Sequence, residues 1–404
     1  MQQGQKQSLI TLYLAYFADY FSWGAAITFL TVYISSDTTP FHNLFWSPDI
    51  SLWVAYAAFP IGEVIGSPIL GDLSDWVGRK KVLVWGFAGS IFSMALCAWS
   101  LWLGDFSLFL IGQLLVGFFA GKQAMAQAAI TEIQGGTKGQ KLAFLSVLGG
   151  LAWALGPLLG GILMTYGGYI WPNILACGVY LFSLFCTHYL FTDNYHPIQR
   201  EFSVKKFLQS AADTFTLTWK EKLFSIFLLN LLGWYILIVS FSDFLITRFH
   251  LTDAEIGIYN SYFSLCFALG GVIGTAFILH RWKAQNILFW SLLVGSFGLF
   301  LLFGAERVVE LWTYLAIPAL TEAWIYPAYQ TVLSDKTCEK SQGKLFGLIG
   351  ATNGACQFVA SLIIGGISFQ ISIFVAALLF LSSATFLPAL ISKGKFHFSK
   401  HSLT

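Results

Sequence analysis

Charge is scarce in this chain: Asp, Glu, Lys and Arg together make up 10% of its 404 residues, against 56% hydrophobic. That balance excludes a soluble globule, in which roughly a quarter of the residues carry charge. Cysteine is scarce too. Of the six, Cys97, Cys177, Cys186, Cys266 and Cys356 fall in apolar stretches and Cys338 in a polar one. No spacing among them suits a metal or a disulfide framework, so they are expected to act as small buried side chains. The seven histidines sit at the ends of apolar stretches or in loops and tails, which leaves no histidine proton relay. The N-terminal MQQGQKQS lacks the basic region and cleavage site of a signal peptide, so the first apolar run is expected to remain as a membrane helix. The net charge of +2 points to no nucleic-acid partner.

What the chain has in abundance is apolar runs of about 20 residues, each enough for one helical crossing of a bilayer. They lie near 8–33, 51–70, 82–103, 107–129, 143–165 and 171–191, and again near 223–247, 257–279, 286–304, 310–334, 345–367 and 371–391. The expected fold is an all-α polytopic membrane protein with twelve transmembrane helices in two pseudo-symmetric six-helix halves, 1–192 and 223–404. Residues 193–222 form the longest polar stretch and are read as a cytoplasmic linker. Within it, FSVKKFLQSAADTF sets Phe202, Phe207 and Phe215 on a partly basic frame; a short helix on the membrane surface and a solvated linker are both open.

Basic residues are retained on the cytoplasmic side of membrane proteins. With both termini inside, all of the 22 Lys and Arg except Arg248, Arg307 and the buried Lys122 fall in cytoplasmic segments. Omitting one span would scramble that pattern. The protein is therefore expected in the cytoplasmic (inner) membrane if the cell is bacterial.

Four ionisable residues interrupt the apolar runs near their middles: Asp19, Glu63, Lys122 and Glu322. Such groups are tolerated in a membrane when they face a protein interior or a water-filled path, which makes each a functional candidate. Asp19 shares a helix face with Tyr16, Tyr20 and Trp23, a carboxylate among aromatics suited to an organic cation. Glu322 shares one with Tyr326 and Tyr329. On the seventh run Asn230 and Trp234 repeat the spacing of Asp19 and Trp23. Glu63 is read equally as a proton site or an interhelical hydrogen bond. Lys122 lies nine residues beyond Gln113, which at about 100° per residue sets the two on opposite helix faces; it pairs with Glu63 or Asp19, or holds an anionic group of a substrate.

The sharpest local motif is GDLSDWVGRKK, residues 71–81. Gly71 and Gly78 permit a tight turn, Asp75 can accept hydrogen bonds at a helix N-terminus, and Arg79 with Lys80 supplies a fork of donors. A loop of this kind can latch one half to the other. The string resembles the cytoplasmic loop signature of the major facilitator superfamily, Gly-x-Leu-x-Asp-Arg-x-Gly-Arg-Lys, with Trp76 in place of the usual basic residue.

A second motif is LGGLAWALGPLLGGIL in the fifth run, where Gly149, Gly156 and Gly160 fall at i, i+7 and i+11 beside Gly150, Pro157 and Gly161. A helix face so bare allows close approach in lipid, and Gly-Pro allows a bend. It resembles the antiporter signature of drug:proton exporters in that superfamily. ITEIQGGTKGQKLAFLSVLGG and WIYPAYQTVLSDKTCEKSQGKLFGLIGA likewise resemble segments of tetracycline-type exporters, as does the acidic residue of the first span. The resemblance implies that Gly62 and Gly66, Gly350 and Gly354, and Gly271 and Gly274 line the meeting of two halves that rock between inward-open and outward-open states. It also implies an arginine in the fourth span, where this chain has Gln113.

No enzyme chemistry, cofactor or metal is called for. The leading reading is a monomeric secondary transporter that exports small amphipathic or aromatic compounds in exchange for protons. The second is an uptake porter or facilitator for an anionic metabolite or siderophore-like chelate, with Lys122 as counter-charge; the third is a membrane sensor on the same scaffold. Fold alone does not separate them.

Overall fold

The computed structural model describes residues 3–27, 30–35, 39–44, 46–133, 135–193, 222–251, 253–278, 281–337, 342–364 and 368–391. The anticipated surface helix around Phe202, Phe207 and Phe215 lies outside the described residues. Among those described, every regular element is helical.

The first span is α1 (Gln3–Ile27) followed by the short α2 (Leu30–Ser35); the second and third are α3 (Pro48–Val77) and α4 (Arg79–Leu103). The fourth is broken at Gly121 into α5 (Phe106–Ala120) and α6 (Lys122–Glu132), and α7 (Lys138–Gly167) and α8 (Trp171–Leu190) complete the first six. The second six are α9 (Lys222–Phe249), α10 (Asp253–Ile273, extended by a π turn over Gly274–Ile278), α11 (Ala284–Phe303), α12 (Leu311–Lys336), α13 (Gln342–Ile364) and α14 (Phe369–Ile391). By length and composition, ten of these spans are apolar enough to cross a membrane. The two long helices outside that set are α1 and α12, which carry Asp19 and Glu322. At 25 and 26 residues both are long enough to cross; polarity, not length, sets them apart.

Helix ends follow local chemistry. Gly78, at φ 101°, makes the one-residue turn between α3 and α4, a backbone conformation open to glycine at no steric cost. Gly104, at φ 71°, closes α4, and Asp105 caps α5 by accepting from Ser107 N at 2.9 Å and Leu108 N at 3.1 Å. The segment after α2 is clipped to this corner: Asn43 Oδ1 accepts from Phe106 N at 2.7 Å, and the Phe41 ring packs against Phe106 and Phe109.

The helices pack into two compact units. One comprises Met1–Gly135, Leu151–Ala211 and Gln342–Ala355; the other comprises Gly136–Gly150, Ala212–Ser341 and Cys356–Thr404. Each therefore takes in one stretch from the opposite half of the sequence, the start of α7 in one case and of α13 in the other.

Within the first unit, α3 lies so close to α5 that no side chain fits between them. A Cβ at Gly62 or Gly66 would collide with the backbone of Leu114 or Phe118, and one at Gly117 with that of Phe59. The Gly62/Gly66 pair thus faces α5 of the same half, not the meeting of two halves where the family resemblance set it. It is the other face of α3 that meets α13, where a Cβ at Gly350 would lie 2.6 Å from Ser67 Oγ and one at Gly354 2.8 Å from the Pro60 carbonyl. In the second unit Gly271 does meet the fifth span, 2.7 Å from Val147 N on the same construction, whereas Gly274 faces Trp324.

Two predictions follow from this geometry. Gly66→Val should destabilise the purified protein by about 1–3 kcal/mol or more, because the clashing atoms belong to backbone that cannot give way, whereas Gly178→Ala, with nothing within 4 Å, should be neutral or gain up to about 1 kcal/mol in helix propensity. Thermal unfolding in detergent ranks the two. At Asp105, hydrogen bonds from the Leu108 backbone N–H, Asn43 and Ser107 hold the carboxyl below its usual range. A depressed acid stabilises above its unfolded pKa of about 4 and loses that contribution as pH falls through the folded value; the stability gap between wild type and Asp105→Ala should therefore be full at pH 7 and close in acid.

Candidate functional site

The first unit buries an ion pair. Asp19 of α1 meets the ammonium of Lys122, the first residue of α6, with both side chains nearly sealed from solvent. Neither is left with an idle hydrogen-bonding group. Lys122 Nζ also donates to Ser90 Oγ on α4 at 2.8 Å and to the Phe119 carbonyl at 3.3 Å, and it lies 4.7 Å from the centre of the Tyr180 ring. Asp19 Oδ1 accepts from the Tyr180 hydroxyl of α8 at 3.0 Å, and Oδ2 accepts from Gln123 Nε2 at 2.5 Å. Four spans are tied at one point. Of the two carboxylate partners open to Lys122 on sequence grounds, the fold brings Asp19. Ser90, Gln123 and Tyr180 were not foreseen, because single hydroxyls and amides in a span are common enough to carry no signal.

The expectation that Lys122 and Gln113 take opposite faces is not met. Gln113 Nε2 reaches Cys97 Sγ at 3.8 Å and Lys122 reaches Ser90; those α4 residues are seven apart, on one face. The reason is the interruption at Gly121, across which a continuous 100° count does not hold.

Around the pair, Tyr16 is buried and Tyr20 half-buried, their rings 4.9 Å apart. Trp23 stacks on Phe59 at 4.6 Å and meets Trp153 edge-on at 5.0 Å. The aromatic face read from the sequence is therefore split: Asp19 and Tyr16 turn into the unit, while Trp23 joins an aromatic cluster with α3 and α7. Glu63, on α3, is half-buried beside Gly354 and lies within electrostatic range of Asp19. Among the described residues it has no ion pair.

The second unit holds a different arrangement. Glu322 of α12 is 2% exposed, and the partner the fold gives it is Asn230 of α9, whose Nδ2 donates at 3.3 Å. Asn230 Oδ1 and the Tyr329 hydroxyl are buried with no hydrogen-bond partner among the described residues. Phe227 packs between the tyrosines, 5.2 Å from the Tyr329 ring and 6.0 Å from that of Tyr326. Trp234 stacks on Phe263 at 5.6 Å. The internal repeat thus has a chemical inversion: the acid sits on the first span and the cation on the fourth in one unit, and the amide on the seventh and the acid on the tenth in the other.

The GDLSDWVGRKK segment forms a separate charged cluster. Arg79, 0% exposed, binds Asp75 and Ser74 through Nη1 and Glu132 Oε1 at 2.8 Å through Nη2. Asp75 in turn accepts from Gly343 N at 3.2 Å and Lys344 N at 3.0 Å, capping the start of α13. Lys80 enters through its backbone N–H, which donates to Asp193 Oδ2 at 2.9 Å. One expectation is corrected. Gly71 is no turn but lies inside α3, where a Cβ would come 2.5 Å from the Gly343 carbonyl; its bareness allows α13 to approach. Glu132 and Asp193 were missed because acids at span ends look like ordinary loop charge.

The glycine stripe of α7 is buried at Gly149, Gly156 and Gly160 and half-buried at Gly161. A Cβ at Gly156 would lie 2.6 Å from the Phe21 carbonyl of α1, and one at Gly24 would lie 3.4 Å from Pro157 Cδ. Among the described residues no group of three or more His, Cys, Asp or Glu is arranged to hold a metal ion.

Comparison with known proteins agrees with this architecture. The chain is 25% identical over 319 residues to the class H tetracycline resistance protein of Pasteurella multocida, covering 74% of this chain and 75% of that one. It is 23% identical over 323 residues to the class C tetracycline resistance protein of Escherichia coli, covering 78% and 79%. With the multidrug resistance protein MdtG of Salmonella arizonae it shares 25% identity over 201 residues, 48% of this chain and 47% of that one. Among solved structures, the human organic anion transporter MFSD10 (TETRAN) aligns with a TM-score of 0.77 at 17% identity, over 96% of this chain and 100% of that one. The proton:xylose symporter XylE aligns with a TM-score of 0.74 at 13% identity, over 95% of each. The sequence model of the Major Facilitator Superfamily matches residues 12–230 and 223–397. With twelve helical spans among the described residues and a family model that matches nearly the whole sequence, this chain is an integral, multi-pass membrane transporter belonging to the Major Facilitator Superfamily, most like its tetracycline-type members.

Proposed function

We propose that the protein is a proton-coupled exporter of small amphipathic or aromatic compounds that works by alternating access as a monomer. Residues 1–192 and 223–404 are the rocking halves, 193–222 is the cytoplasmic linker, both termini are cytoplasmic, and in a bacterium the membrane is the inner one. Asp75, Arg79 and the start of α13 form a cytoplasmic latch that parts in one of the two states.

The observation that carries the reading is the partner given to Glu322. A primary amide is ambidextrous: Nδ2 donates to a carboxylate, and the same group turned over offers Oδ1 to a protonated carboxyl. Asn230 can thus satisfy Glu322 in either protonation state, which suits a site that loads and releases a proton in each cycle. An ammonium pairs well with the ionised acid only. Asp19 is accordingly read as the charge whose pairing with Lys122 is made and broken as the transporter changes state, and Glu63, with no ion pair among the described residues, as an accessory acid. Aromatic side chains on the helix faces of Asp19 and Glu322, namely Tyr16, Tyr20, Trp23, Tyr326 and Tyr329, suit an aromatic or cationic substrate. The names of the tetracycline and multidrug resistance relatives favour export.

The uptake reading needs Lys122 as a counter-charge for an anion. Against it, the three donors of that ammonium are spent on Asp19, Ser90 and the Phe119 carbonyl.

Two experiments test the assignment. In vesicles with an imposed pH gradient, adding an aromatic cation should trigger proton movement by the wild type. Glu322→Gln should abolish that movement while the cation still raises the unfolding temperature by mass action; proton movement that survives the substitution would remove Glu322 from the mechanism. Lys122→Gln should cost about 3–5 kcal/mol by leaving a buried carboxylate unpaired, and adding Asp19→Asn should recover part of that loss. Strict additivity in this double-mutant cycle would refute the coupling. If instead Lys122→Gln removes binding of a carboxylate ligand and Lys122→Arg restores it, the uptake reading replaces the export one.

A further inference from the structure

Inside the first unit, about two helical turns from the Asp19 network along α8, polar groups gather without partners among the described residues. Gln113 is 3% exposed, Tyr33 1% and Asn173 0%. Gln113 Oε1, the Tyr33 hydroxyl and both amide atoms of Asn173 make no hydrogen bond among the described residues. Contacts of neighbouring side chains tie their helices together here. The Tyr33 ring sits between Phe109 of α5, at 6.3 Å, and Tyr169, at 5.8 Å; Gln113 follows Phe109, and Asn173 follows Tyr169, by four residues. Cys97 touches Gln113 and lies within electrostatic range of both the Tyr33 hydroxyl and Cys177, which is one turn beyond Asn173.

Unpartnered polar atoms in an apolar core are costly and in native proteins are satisfied by ordered water. The complement here suits water and not a bare cation or anion: two acceptors (Gln113 Oε1 and Asn173 Oδ1), one donor (Asn173 Nδ2) and one hydroxyl able to do either, enough for the two to four bonds that a buried water makes. A dry cluster would be better served by leucine and phenylalanine at the same positions.

We propose that Tyr33, Gln113 and Asn173 hold a buried water cluster that relays protons to Asp19. On α8, Asn173, Cys177 and Tyr180 recur at i, i+4 and i+7, and Tyr180, with the Ser22 hydroxyl beside it, donates to Asp19 Oδ1. The proton transfer balances without further reagents. A hydronium in the cluster gives a proton to the Tyr180 oxygen as Tyr180 passes its own proton to Asp19, leaving a water, an unchanged tyrosine and a neutral acid. Lys122 then keeps Ser90 and the Phe119 carbonyl. The function assigned to this water rests on the exporter reading above; its presence does not.

Radiolytic hydroxyl-radical labelling of the full-length protein tests both parts, because radicals formed from a bound water oxidise the side chains it touches even where bulk solvent cannot reach. Cys97 should be labelled well above Cys356, which is similarly buried at 3% exposure, and Asn173→Leu should abolish the difference. Tyr33→Phe, a one-atom deletion, serves the same purpose if the leucine variant does not fold. Equal labelling of the two cysteines in the wild type, or labelling of Cys97 that persists in both variants, would overturn the cluster. In vesicles, both variants should lose substrate-triggered proton movement; wild-type rates with Cys97 labelling gone would overturn the relay. A wild type that moves no protons for any substrate would tell against the exporter reading, while the labelling would still decide the water.

Discussion

An ammonium group inside a membrane protein is tolerable only when each of its three protons has an acceptor, and that constraint organises the first unit. Lys122 finds a carboxylate on α1, a hydroxyl on α4 and a carbonyl in the last turn of α5. Each acceptor fixes the rotation of its own helix: turning α1 or α4 by a third of a turn would strand the charge. Tyr180 and Gln123 complete the shell around Asp19 and extend the same demand to α8. Hydrophobic association does little to orient helices in lipid, because the surrounding chains are as apolar as the helix faces. Satisfying one buried cation is therefore a large part of what specifies the packing here, as it is at the start of α4, where Arg79 draws in Asp75 and Glu132.

The second unit shows what happens when the cation is left out. With Asn230 where its counterpart has Asp19, the acid on α12 has an amide for a partner, and the demand on helix rotation relaxes from a charge that must be matched to a hydrogen bond that can be made in two ways. The two units thus repeat one backbone plan with different electrostatics: one acid is matched by a charge and the other by a hydrogen bond. In the proposed cycle the first pairing has to be broken and remade, whereas the second partner serves its acid in either protonation state.

Much of this was legible in the sequence and some was not. The spans were plain from apolar length, and Asp19, Glu63, Lys122 and Glu322 announced themselves as charges near the middle of apolar runs. Asp75 as a cap was readable from its motif, since an acid followed by Gly-Arg at a helix junction has few other uses. Partners were harder. Gly-x-x-x-Gly says that a face is bare and cannot say which neighbour fills it; hence Gly62 and Gly66 were set at the meeting of the two halves when α5 occupies them, and the α3 face that meets α13 is marked by Pro60 and Ser67 instead. The angle between Gln113 and Lys122 failed for another reason: helical arithmetic assumes continuity, and Gly121 interrupts it. Gly71 failed because a glycine in a turn and a glycine at a helix crossing look alike in one dimension.

The same physics explains why the polar residues are concentrated in α1 and α12. Neither is apolar enough to count among the ten spans that length and composition alone would place in a membrane, so each depends on its neighbours for the satisfaction that lipid cannot give. For α1 those neighbours are α6 and α8, through Asp19; for α12 the neighbour is α9, through Asn230. A helix held by a few strong polar contacts has steeper dependence on those contacts than one held by general apolar packing. Altering the charge or protonation of a single side chain then changes the standing of a whole span, which is the sensitivity that the proposed coupling of a proton to a movement calls for.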